Sequence, residues 1–168
     1  SKNLNCNRHF KVFNKFKIIP KFCFNCYKIQ INLKTVVDLV KLSFVFDDLI
    51  LKNNNTRKCM IEIRNQIEGN YKGYIYCTGL PDAENIHKKI KKILSSKKIN
   101  DFDISIKHGC SEFYEIYPKF KEINFNGKQE MDYKKSWEEK EKLIDKNIPS
   151  RIKADKKIWT ESLKGLNL

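Results

Sequence analysis

The stretch KCMIEIRNQIEGNYKGYIYC, residues 58–77, decides how this chain folds. Residues 58–64 alternate apolar and polar side chains, the period of a half-buried strand. Glu68, Gly69 and Asn70 form a turn, and Tyr71 to Cys77 alternates again. Two alternating runs joined by a glycine-bearing turn predict an antiparallel hairpin. Upstream, Tyr27 to Ile31 alternates as an earlier strand. Thr35 then begins a capping box with Asp38 in the usual Glu position, which predicts a helix from Val36 to about Leu51, ended by Asn53 to Asn55. Downstream, Gly79 breaks the hairpin and Pro81 suits the first position of a second helix. Ala83, Ile86, Ile90, Ile93 and Leu94 share one face of that helix, and Phe102 to Lys107 alternates as a fourth strand.

The order β-α-β-β-α-β predicts an α+β domain with a ferredoxin-like core. Right-handed crossovers set the spatial strand order as 4-1-3-2, with both helices on one face. Three segments follow. Residues 1–26 are a basic, aromatic N-terminal arm ending in a Cys-x-x-Cys pair, expected as an edge strand or irregular arm limited by Pro20. Residues 27–110 are the core. Residues 111–168 are a C-terminal extension packed on the core, with a charged helix expected around Asp132 to Asp145 that Pro149 ends.

The 168 residues carry 34 basic and 20 acidic side chains, a formal net charge of +14. Lysine outnumbers arginine 30 to 4. Such charge favours nucleic acid or another anionic macromolecule as partner, by phosphate attraction more than bidentate base reading. The most apolar stretch, Val36 to Leu51, includes Asp38, Lys41, Asp47 and Asp48 and is shorter than the roughly 20 residues of a spanning helix. No signal-peptide pattern opens the sequence, so the expected location is cytoplasmic, where thiols stay reduced.

The six cysteines are then free, metal-bound or redox-active. In the expected topology Cys23 and Cys26 open the first strand, Cys77 closes the third and Cys110 follows the fourth. These four converge at one sheet edge and form a candidate site for zinc or an iron–sulfur cluster. Cys59 or His108 are alternate ligands, and Cys6 is unplaced. Two other uses stay open: inert core thiols, since Cys59 and Cys77 share faces with isoleucines, and a reactive thiol near His108 serving a cysteine-dependent enzyme. Glycine-rich phosphate loops and the G-x-S-x-G elbow are absent from the sequence.

The sheet face away from the helices is expected to carry Lys28, Gln30, Glu62, Arg64, Tyr74, Tyr76, Ser105 and Lys107. Tyr74 and Tyr76 with Lys28, Arg64 and Lys107 form a candidate nucleic-acid surface, provided that the arm or the Tyr117 to Phe125 segment does not cover it. KGYIY, residues 72–76, resembles the opening of the RNP1 signature of RNA recognition motifs, with Ile75 where Gly or Ala is usual. That five-residue resemblance implies Tyr74 and Tyr76 as base-stacking residues.

Overall fold

Alternation places Tyr27, Ile29, Ile31 and Leu33 on one face of β1 (Tyr27–Leu33), and all four are buried. Burying each such side chain stabilises the fold by about 1.5–3 kcal/mol, which fixes the strand's register. The computed structural model describes residues 4–63, 69–99 and 101–146. β1 lies between β3 (Tyr71–Cys77) and β4 (Phe102–His108), antiparallel to both, with Ile29 opposite Ile75 on one side and Ile106 on the other. The short β2 (Arg57–Ile61) pairs with β3, giving the order β2-β3-β1-β4. The domain is thus mixed α+β, with a four-stranded antiparallel sheet and four α-helices among the described residues.

Two helices cover the isoleucine face. α2 (Val36–Asp48) starts where the Thr35 hydroxyl accepts the Asp38 backbone N–H at 3.1 Å and donates to the Asp38 carboxylate at 2.7 Å. It buries Leu39, Leu42, Val45 and Phe46 and leaves Val37, Val40 and Phe44 exposed. Gly73 in β3 makes room for it, because a Cβ there would stand 2.3 Å from Leu42 Cδ2. Arg57 donates to the Phe46 and Leu49 carbonyls near the helix end, where carbonyls lack intrahelical partners. α3 (Leu80–Ser96) buries Ala83, Ile86, Ile90 and Leu94. Its first-turn Asp82 accepts from the Thr78 backbone N–H at 2.9 Å. Among the described residues no helix is long and apolar enough to cross a membrane.

The arm is not a strand. Residues Cys6–Phe16 form α1, with His9, Val12 and Phe13 buried and Phe16 packed beside them. Those positions are three and four residues apart, the period of one helix face. α1 packs with 3-10 turns and with α4 (Glu138–Lys146) into a second core that holds Ile19, Phe113, Phe120, Trp137 and Ile144. The expected charged helix begins at Glu138, because Lys135–Trp137 forms a 3-10 turn. Pro149, named as its end, lies outside the described residues.

His108 joins the two cores. Its ring stacks on Tyr27 at 4.5 Å and on Phe120 at 4.1 Å. Its Nδ1 lies 2.8 Å from the Phe120 carbonyl oxygen and its Nε2 2.9 Å from that of Phe24. A second tie is Glu141, which accepts from Arg8 of α1, from the Lys21 backbone N–H at 2.8 Å and from the Tyr133 hydroxyl at 2.9 Å.

Candidate nucleic-acid face and thiol cluster

The strand registers order the far face of the sheet into three rows. Tyr76, Lys28 and Lys107 form the first, across β3, β1 and β4. Lys58, Tyr74, Gln30 and Ser105 form the second, across all four strands. Met60, Lys72, Asn32 and Asp103 form the third. Tyr74 is half-buried near the middle, with Lys28 Nζ 5.6 Å and Lys58 Nζ 5.3 Å from its ring centroid. Both lie within the roughly 6 Å at which an ammonium feels the ring's negative face. Such contacts draw the two ammoniums to the phenol ring.

Four lysines thus crowd one face. Burial pulls the Lys107 ammonium below the ordinary lysine range, and repulsion from Lys28 and Lys72 adds to it. A cleft of about 440 Å³ opens there, lined by Gln30, Asn32, Lys72, Asp103, Ser105 and Lys107 among others. Asp103 is the exposed acid of this face, and Glu62 is buried. Among the described residues the terminal segments pack on one another in the second core, and Leu4, Phe22 and Asn25 line a cleft with Tyr76 at one corner of the sheet. The buried apolar residues of the arm, Val12, Phe13, Ile18 and Ile19, pack in the second core with Phe113, Phe120, Trp137 and Ile144. Arg64 lies outside the described residues.

At the Tyr76 corner lie the thiols. A 3-10 turn over Lys21–Asn25 folds Cys26 back, so that its N–H donates to the Cys23 carbonyl at 3.2 Å. The Gly109 N–H donates to the Cys26 carbonyl at 2.7 Å, and Gly109 takes the left-handed φ of +57° that glycine favours. That bend sets Cys110 beside Cys26. Cys6 opens α1 and joins them. Each of the six pairings among Cys6, Cys23, Cys26 and Cys110 is close enough for one thiolate to raise another's pKa. Burial is the larger cause of the upward shifts and holds Cys26 at about 12. Lys28 opposes it at Cys26 and Cys110. The phenols of Tyr76 and Tyr114 border the group and are likewise pushed up, by burial first and by these thiols second.

Of the four cysteines expected at this edge, Cys23, Cys26 and Cys110 interact electrostatically with one another, Cys6 with all three, and Cys77 with Cys26. Cys77 ends β3 on the helix side, in the core with Ile75, where burial raises its thiol to about 12. Cys59 also packs against that core. His108 lies within the domain with both ring nitrogens against carbonyl oxygens. All six cysteines are free thiols. Among the described residues no group of three or more His, Cys, Asp or Glu is drawn in tightly enough to hold a metal ion as it stands. Raised thiol pKa values are the reverse of what activates a nucleophilic cysteine, which needs a neighbouring cation or helix N-terminus to win over burial.

Comparisons with family models, with curated proteins and with solved structures find no match.

Proposed function

We propose that the protein is a binding module for single-stranded nucleic acid, working through the open face of a ferredoxin-like sheet elaborated at both ends. The observation that carries this reading is Tyr74, held between Lys28 and Lys58 on a face with two further lysines. Bases have π-faces that stack on such a ring regardless of sequence, and ammoniums nearby attract phosphate. Tyr76 stands two residues along the strand, about 6.7 Å away, and offers a second ring for the next base. Lys58 and Ser105 are exposed, Lys28, Lys107 and both tyrosines are half-buried, and Gln30 and Lys72 are buried, so a strand meets this face at Lys58, Tyr74, Tyr76, Lys28, Ser105 and Lys107. A lysine-rich, arginine-poor surface favours binding with little sequence preference. A reducing, cytoplasmic setting belongs to the proposal, since the six thiols are free.

The test is fluorescence anisotropy with labelled single-stranded oligonucleotides across a salt series. Lys28, Lys58 and Lys107 each neutralising one phosphate give a log–log slope of about −2, or about twenty-fold weaker binding between 50 and 200 mM salt. Tyr74→Ala removes one stacking platform worth about 1–3 kcal/mol, about 5- to 150-fold in affinity. A control variant changes Lys88, Lys91 and Lys92, exposed on α3 across the sheet, to Gln. Equal losses in the two variants would reduce the binding to general polycation attraction and defeat the proposal.

A further inference from the structure

We infer that the cleft between Phe22 and Tyr76 takes one adenine base of a bound single strand. The inference rests on the single-strand reading above and deepens it, giving one position of the strand a base preference. The cleft holds about 240 Å³ at the end of β3, beside the first row of the sheet face. That is below the roughly 300–1,000 Å³ of a pocket for a drug-sized ligand and suits a single flat base. Its apolar side is Phe22, whose ring is 46% exposed and stacks on His9 at 5.0 Å. A ring left that open next to Tyr76 is a platform on which a base stacks. The polar side is the run Asn53-Asn54-Asn55 together with Asn25. Asn53 donates to Thr78 Oγ1 at 3.3 Å and to Asp82 at 3.1 Å. Asn55 donates to the Tyr76 carbonyl at 2.9 Å and to Asp82 at 2.8 Å. Turned over, its amide would set oxygen against carboxylate, so the orientation is fixed. Those two residues hold the wall. Asn25 and Asn54 are exposed, and neither side-chain amide has a hydrogen-bond partner among the described residues. A free asparagine amide presents a donor and an acceptor side by side, the pair that reads the N6 amine and N7 of adenine. A second observation points to a polar occupant. Among the described residues the buried side-chain atoms without a hydrogen-bond partner are Asn55 Oδ1 and His9 Nε2. Asn55 is 5% exposed and lines the cleft, and His9, 8% exposed, backs the Phe22 ring. Buried polar groups are nearly always paired, so two exceptions at one cleft single it out from the rest of the molecule.

The experiment compares labelled strands of about ten thymidines with the same strands carrying one central adenine, by fluorescence anisotropy at fixed salt. The unaltered chain binds the adenine strand about 5- to 150-fold more tightly, the span of one bidentate base contact. Asn25→Ala combined with Asn54→Gly removes that advantage and leaves binding of the thymidine strand in place. Both residues are exposed, and glycine keeps the left-handed backbone of Asn54, φ 45°. Tyr74→Ala weakens both strands alike and leaves their ratio unchanged, which separates the cleft from the stacking platform on the sheet. Equal affinity for the two strands, or an adenine advantage that survives in the double variant, overturns the cleft while the sheet-face reading stands. If neither strand binds, that reading fails by itself, and mononucleotides titrated into nitrogen-15-labelled protein decide the cleft. Adenosine monophosphate shifting the Asn25 and Asn54 side-chain amide signals, with thymidine monophosphate leaving them in place, supports an adenine site. Signals that stay unmoved, or move equally with both mononucleotides, overturn it.

Discussion

Replacing Arg8 by Met puts the tie between the chain's distant parts to a quantitative test. The guanidinium reaches Asp145 through Nε at 2.9 Å and through a terminal nitrogen at 2.8 Å, and Glu141 through the other at 2.5 Å. The two halves are unequal. Asp145 is 50% exposed, and such a partner contributes about 0–1 kcal/mol. The Glu141 side chain is 9% exposed and Arg8 13%, so removing the cation leaves a buried carboxylate without its counter-charge. That loss costs about 3–5 kcal/mol, against a total domain stability of about 5–15. With a urea slope near 2 kcal/mol per molar, the midpoint falls by roughly 2 M. Asp145→Asn alone moves it by less than about 0.5 M on the same scale. In Arg8→Met with Glu141→Leu both charges are gone, and the remaining cost is the Lys21 N–H and Tyr133 hydroxyl losing an acceptor, about 1–3 kcal/mol. The double variant is therefore more stable than Arg8→Met. Urea unfolding followed by circular dichroism measures all three. An Arg8→Met loss below about 1 kcal/mol, or additive effects in the double variant, refutes the assignment of Glu141 as a buried hub.

Two other outcomes follow from packing and burial. Gly73→Ala places a Cβ 2.3 Å from Leu42 Cδ2 and 3.2 Å from Phe46 Cζ, so it costs about 1–3 kcal/mol by overpacking, read as a urea midpoint shift. In a Leu42→Ala background the same change costs less, and equal costs in both backgrounds would contradict the stated clash. Burial holds the imidazoles of His9 and His108 below their ordinary pKa of about 6.5, so the unfolded chain takes up their protons first as pH falls. The associated stability is present above about pH 6.5 and declines below it, and a urea midpoint unchanged or higher at pH 5.5 than at 7.5 contradicts this.

Much of the sheet was legible because period-two alternation states a face as well as a strand. Lys28, Gln30, Tyr74, Tyr76, Ser105 and Lys107 lie on the face that parity assigns them. The same parity puts Cys77 with Ile75 and Gly73, on the helix side. α1 was missed although its signal was present: His9, Val12, Phe13 and Phe16 repeat at helical spacing among lysines, and Pro20 falls after the helix has ended. Cys6 could not be placed by any local rule. Its position depends on where α1 docks, and that is set by Arg8 meeting a carboxylate 133 residues away. β2 is shorter than its alternating run, ending at Ile61 with Glu62 buried beyond it. Burial of a carboxylate is a tertiary outcome with no counterpart in periodicity.

That separation of 133 residues has a temporal consequence. At synthesis rates of about 5–20 residues per second, Arg8 is joined to the chain roughly 7–27 s before Glu141. During that interval Val12, Phe13 and Ile19 have no Trp137 or Ile144 to pack against, while the strands and helices of residues 27–108 are all made before those partners. The strands of the sheet are all made before α4, and α1, made before them, waits longer for its partner. For part of that time the apolar side chains of residues 6–19 lack the partners that bury them in the folded protein.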